Sequence, residues 1–177
     1  GALTCVVIAA TATRLLGAGV GLVAGLLLAV YAPHVYLSGV FYAECLFTLL
    51  IAVTVHCAVR TIDEPRARWA LATGLGFAAA ALTRPIVLAY LPVLIAIFVY
   101  ALPLPRPRRI AIAAGLVLAT GLAILPWTLR NWLVLGRPVV VSSGFGTKLW
   151  QGNNEGAAAD ADDRELTFEQ DVWRARV

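Results

Sequence analysis

Glu44, in the stretch YLSGVFYAECLFTLL, is the single acid within or at the edge of any long apolar run of this 177-residue sequence. A carboxylate at such a depth is costly. A functional role with a cationic partner therefore outweighs the plainer one, an interfacial acid complementing the dipole at a helix start. Arg84, in AALTRPIVLAYLP, brings a planar fork of donors to a helix break. That fork suits a phosphate, and it suits equally a side chain that snorkels to lipid headgroups; the sequence leaves both open. A third group lies in PWTLRNWLVLGRPVVVSSGFGTKLWQGNN, residues 126–154, where Arg130 and Asn131 stand together and Trp150, Gly152, Asn153 and Asn154 close the stretch. An indole beside amides and a permissive glycine fits a carbohydrate, by stacking on its apolar face and pairing with its hydroxyls; an interfacial loop has a similar composition.

Other polar residues carry less. His34, beside Pro33, reads as a wet interfacial imidazole, and His56, near one end of an apolar run, as a satisfied packing residue. Cys5, Cys45 and Cys57 are all embedded in apolar runs and read as small buried thiols, with no disulfide. No second His or Cys stands at ligand spacing, so the residues predict no metal site. Gly144 to Lys148, GFGTK, does not match the spacing of a phosphate-binding loop and follows no strand-helix unit.

The elements that must position these residues are membrane helices. Hydrophobic residues make up 60% of the chain and charged ones 14%, with a mean hydropathy of +0.83, too apolar for a soluble domain of this size. Spanning a hydrocarbon core takes roughly 20 helical residues. The apolar runs are a partial one at 1–13, then about 16–33, 40–59, 69–83, 86–102 and 110–128. The fold class that follows is all-α: a polytopic transmembrane helical bundle of about five full spans plus a partial one. Residues 1–130 form the helical region, and 131–177 a non-cytoplasmic loop with the start of a following segment. Thr83-Arg84-Pro85 predicts a helix break, because proline lacks a donor and disfavours helix at the residue before it. Pro126-Trp127 predicts a helix end at the interface.

Charge gives the orientation. Residues 1–154 carry eleven of the fourteen Lys and Arg against three acids, and 155–177 carry seven acids against three arginines. The arginines cluster between apolar runs rather than along one polar face, so nucleic acid is not an expected partner and the clusters read as topology signals. Arg14, the loop RTIDEPRAR and PLPRPRR then mark cytoplasmic connections, which puts Glu44, Arg84 and everything from Arg130 onward on the opposite face. In the acidic tail, Leu166, Trp173 and Val177 are spaced to share one side of a helix, alongside the plainer reading of a charged connection. With no methionine and an opening that reads as a helix already under way, the sequence reads as an internal piece of a longer chain, not expected to function alone.

The succession YAPHVYLSGVFYAECLF, AALTRPIVLAYLP and PW-x-x-RN…LW-x-GNN, over about residues 20–155, resembles the middle of a family 39-type membrane glycosyltransferase of the GT-C superfamily. That group includes protein O-mannosyltransferases and the aminoarabinose transferase that acts on lipid A. The resemblance implies transfer of a sugar from a polyprenyl-phosphate carrier to a lipid, glycan or protein acceptor. The expected location is the non-cytoplasmic face of a bacterial plasma membrane. It implies no nucleotide cofactor and leaves a divalent cation open. The principal base of such enzymes lies in a first outer loop upstream of this sequence, and Glu44 falls on a second acidic motif, with Ala43 where relatives often carry Ser. Arg84 and Arg130 become candidates for holding the carrier phosphate, and Asn131, Trp150, Gly152, Asn153 and Asn154 for contacting sugar or acceptor. A polytopic transporter is the rival reading and a non-catalytic membrane scaffold the third. The transporter predicts internal repeats and polar residues at mid-membrane depth, whereas no repeat is visible and the polar residues gather at one interface.

Overall fold

The computed structural model describes residues 1–40, 42–136 and 138–142. A helical unit, Gly1–Val141, accounts for all but the last of these. Its elements are α1 (Ala2–Leu16), α2 (Ala18–Val30), α3 (Ala32–Gly39), α4 (Ala43–Asp63), α5 (Ala67–Thr83), a 3-10 helix (Pro85–Tyr90), α6 (Leu91–Ala101) and α7 (Arg106–Leu135). There is no strand among the described residues. The fold is the all-α membrane bundle that the apolar runs predict. Leu22, Leu26, Leu118, Leu122 and Leu133 are all more than half exposed, as lipid-facing side chains must be.

By length and composition, α4 and α7 are each able to cross a membrane, and α2 with α3 makes a third span if the bent pair is counted as one. The bend is 58° and falls at Tyr31, where Pro33 in the first turn of α3 removes a donor from the helical ladder. The other apolar runs form shorter helices. The break at Thr83-Arg84-Pro85 forms where the sequence predicts it: Arg84 is extended, with φ −139° and ψ 100°, and Pro85 starts the 3-10 helix. The break leaves little backbone unpaired, since Arg84 N–H donates to the Ala80 carbonyl (2.8 Å) and Val87 N–H to that of Arg84 (3.2 Å).

The helix end predicted at Pro126 is corrected. Helix α7 runs through Pro126 to Leu135 and ends at Gly136, whose φ of 65° is left-handed and suits glycine. A proline inside a helix is tolerated where neighbouring groups hold the adjoining turns. Here Trp127, Thr128 and Asn131, all beyond the proline, are tied to the returning chain at Val139–Val141.

Small residues set the packing. A Cβ on Gly74 would lie 2.6 Å from the Leu116 carbonyl oxygen and 2.8 Å from Ala119 Cβ, so α5 and α7 touch backbone to backbone. Gly21 lies in the same way against Ala9 and Thr13, joining α2 to α1. Buried threonines along the seams, among them Thr54, Thr61, Thr73 and Thr120, donate to carbonyls four residues earlier, which satisfies hydroxyls that lipid could not. One apolar cluster contains Ala58, Ala70, Phe98, Leu102, Ala113 and Leu116; a second contains Phe77, Ala80, Ala81, Val87 and Ile124. Helices α5 and α7 therefore run parallel, and α4 and α6 antiparallel to α5. The unit has one end rich in arginine, at Arg14, Arg60–Arg68 and Arg106–Arg109, and an opposite end carrying Glu44, Arg84 and Arg130.

Candidate functional site

Glu44 sits in the first turn of α4, where a carboxylate faces the positive end of the helix dipole. Arg84 follows the last residue of α5, and because α4 and α5 are antiparallel the two residues meet. Arg84 Nη2 forms an ion pair with Glu44 Oε1. The arginine side chain is 50% exposed and the glutamate 30%. The second carboxylate oxygen, Oε2, is buried with no hydrogen-bond partner among the described residues. The pair is thus partly dehydrated and incompletely satisfied.

A groove of about 400 Å³ begins one turn below the pair. Phe47 and Ile51 of α4, Phe77 of α5, Val87 and Tyr90 of the 3-10 helix and Leu94 of α6 line it. Its surface is apolar almost throughout, and it runs along the helices rather than across them. The 3-10 turn that follows the break at Arg84 supplies Val87 and Tyr90 to its wall.

The end of α7 supplies a second group. Arg130 is exposed, its guanidinium carbon 5.1 Å from the centroid of the Trp127 ring, and it donates through Nη1 to Asn131 Oδ1 at 3.3 Å. Asn131 is 4% exposed, and its Nδ2 donates to the carbonyls of Val139 (3.1 Å) and Val141 (3.4 Å). Trp127 Nε1 donates to the Val141 carbonyl at 3.1 Å and Thr128 Oγ1 to that of Val140 at 2.8 Å. Asn131 therefore anchors the returning chain and orients Arg130.

Of the residues the sequence singles out, the fold joins Glu44 to Arg84 and Arg130 to Asn131, both pairs at one end. Trp150, Gly152, Asn153 and Asn154 lie outside the described residues, as does the tail helix expected at Leu166–Val177. His34 is buried rather than wet: the bend before α3 turns its ring inward, and Nε2 lies 3.3 Å from the Gly1 carbonyl oxygen. His56 is a partnered packing residue, with Nδ1 2.9 Å from Thr11 Oγ1. The three cysteines are free.

The chain matches the family model of the dolichyl-phosphate-mannose-protein mannosyltransferases over residues 1–132. It belongs to that family. The matched stretch includes Glu44, Arg84, Arg130 and Asn131 and ends before Trp150. No curated protein and no solved structure matches. As a member of this family the protein is a membrane glycosyltransferase of mannosyltransferase type, and its apolar helices make it an integral membrane protein.

Sequence reasoning missed two features of this mannosyltransferase relative. The groove is lined from four separate elements, so no local pattern announces it. The other is the ion network at the arginine-rich end. Arg14 donates to Asp63 Oδ2 and Glu64 Oε1, both at 2.6 Å, Arg60 donates to Glu64 at 3.2 Å, and Arg68 lies 3.9 Å from the same carboxylate. Trp69 is stacked under Arg60 (4.2 Å) and near Arg68 (5.1 Å). Hydrogen bonds from Arg14, then Arg60, hold the Glu64 carboxyl below its ordinary range against a smaller opposing effect of burial. The four-residue spacings 60/64 and 64/68 were a visible signal; the reach of Arg14 across to α4 was not.

Proposed function

We propose that the protein is a family 39-type transferase of the GT-C superfamily, moving a sugar from a polyprenyl-phosphate-linked donor to an acceptor hydroxyl. The reaction takes place on the membrane face opposite the arginine-rich connections, in the plasma membrane of a bacterium. The observation that carries this reading is the Glu44–Arg84 pair, three residues before Phe47 and Val87 in the wall of an apolar groove. A long prenyl chain needs a dry channel, and its phosphate needs a cation where the channel meets water.

In the reaction the acceptor oxygen attacks the anomeric carbon, the bond from that carbon to the phosphate oxygen breaks, and the acceptor proton passes to a base. The departing phosphate gains a negative charge, which Arg84 and Arg130 are suited to stabilise. Glu44 serves as the second acid, alongside a principal base that the resemblance assigns to an upstream loop. Asn131, Trp150, Gly152, Asn153 and Asn154 serve to orient the arginines or to contact sugar and acceptor.

The test is transfer of labelled sugar from polyprenyl-phosphate donors to membrane acceptors, comparing wild type with Glu44→Gln and Arg84→Ala at matched folded amounts. Loss of transfer in both variants is expected. Undiminished transfer in both removes the pair from the site, and no transfer by wild type from any donor sinks the reading in favour of a transporter.

A further inference from the structure

We infer that Glu44 is a stand-in for the donor's phosphate: its carboxylate pairs with Arg84, and an incoming lipid phosphate must displace it. This rests on reading the protein as a polyprenyl-phosphate-dependent transferase.

Arg84 is at once neutralised and available. An arginine bordering an apolar groove needs an anion nearby, and Glu44 supplies one. Yet the contact is made through Nη2 of a guanidinium with five N–H donors, and half of the side chain is exposed. Glu44 is held loosely from its own side too, because Oε2 is buried and unbonded among the described residues. A carboxylate that reaches only one partner with one oxygen gives up little on leaving. The carboxylate at the other end of the bundle differs: Glu64 is held by Arg14, Arg60 and Arg68 together.

The groove decides what arrives. A lipid whose chain lies along Phe47, Val87 and Tyr90 delivers its phosphate beside Arg84. A phosphodiester anion and an ionised Glu44 on the same guanidinium would set like charges within a few ångströms at a partly dehydrated spot, which is unfavourable. One of them must go, and the phosphate has its chain bound in the groove while the Glu44 carboxylate has no second partner among the described residues. Donor binding thus frees the Glu44 carboxylate next to the anomeric carbon as the phosphate takes the fork. On transfer, the carbon–oxygen bond to phosphate breaks, the acceptor–carbon bond forms, the acceptor's proton goes to the base and the phosphate departs as a monoester with added negative charge. Return of Glu44 to Arg84 then competes with that product and favours its release.

The competition makes a prediction contrary to ordinary expectation for a site residue: neutralising Glu44 tightens lipid binding. The probe is a long-chain polyprenyl phosphate in detergent micelles, with the polyprenol of equal length as the uncharged control, titrated against the purified enzyme. Glu44→Gln is expected to bind the phosphate roughly two- to fivefold tighter than wild type, since removing a partly exposed ion pair removes a competing state. Glu44→Ala, the second neutral variant should Gln misfold, is expected to tighten as well. Glu44→Asp keeps the charge and is expected to stay within about twofold of wild type. Arg84→Ala loses the preference for phosphate over alcohol. Equal or weaker phosphate binding by both neutral variants overturns the competition while the transferase reading stands, and tightening by Asp as large as by Gln overturns it too. A wild type that does not prefer the phosphate to the alcohol overturns the transferase reading itself.

Discussion

The two ends of the bundle arrange the same residue types differently. At the arginine-rich end, Asp63 and Glu64 are surrounded by Arg14, Arg60 and Arg68, two of which also lie over Trp69. Glu64 has three cations close to it and Asp63 has Arg14, and the network ties α1 to α4 and α4 to α5. At the opposite end, among the described residues, Glu44 meets Arg84 alone, with one carboxylate oxygen unbonded and half of the arginine side chain exposed. A saturated network holds helices together; an unsaturated pair beside a groove has capacity left for a ligand. On the proposed function, the partners that surround Glu64 mark a structural carboxylate and the single partner of Glu44 a reactive one.

Activity gives the largest expected difference between the ends. Arg84→Ala is expected to lower sugar transfer by about 10²- to 10³-fold, the usual cost of losing one group that stabilises a developing anion. Arg14→Ala is expected to leave turnover per folded molecule within about twofold. Equal losses in the two variants, measured by transfer in membranes at matched folded protein, would erase the distinction.

Packing comes next, because α5 carries residues of both ends. Gly74→Val puts a side chain where even a Cβ would lie 2.6 Å from the Leu116 carbonyl oxygen, and a cost of about 1–3 kcal/mol in unfolding free energy is expected. Unfolding in detergent measures it, and a cost near zero would mean that α5 and α7 are not in backbone contact. A smaller effect is expected from Asn131→Ala, which unpairs the carbonyl of Val139 and leaves that of Val141 to Trp127 alone, at a cost of about 1–2 kcal/mol. Hydrogen exchange should rise first in residues 138–142. If exchange there is unchanged, the returning chain is held by Trp127 and Thr128 alone.

The smallest effect sharpens the account of the saturated end. Glu64 is held below the ordinary carboxylate range, chiefly by Arg14. It therefore contributes stability that is fully present above the range of the unfolded carboxyl and is lost as pH falls through the depressed folded value. Melting temperature in detergent is expected to fall on acidification in that window, and Glu64→Gln to flatten the slope. An unchanged slope in the variant would remove Glu64 from the acid response.

Much of this was legible in the sequence because membranes impose simple rules. Apolar runs announced the helices, and clustered arginines showed which connections share an end. Thr83-Arg84-Pro85 announced its break because proline acts locally. The same rule failed at Pro126, where Trp127, Thr128 and Asn131 hold the following turns against the returning chain. His34 was misjudged for a similar reason: a 58° bend at Tyr31 decides which way its ring faces, and nothing adjacent in sequence records that direction.

By itself the sequence determined the membrane class, the helices and a short set of candidate residues, because hydropathy, proline and isolated charge act within a few residues. Only the tertiary structure decided that Glu44 and Arg84, forty residues apart, are partners, that Asn131 serves as an anchor, and that a groove lies below the pair. Those are outcomes of helices lying side by side, and glycines such as Gly74 and Gly21 set how closely they lie.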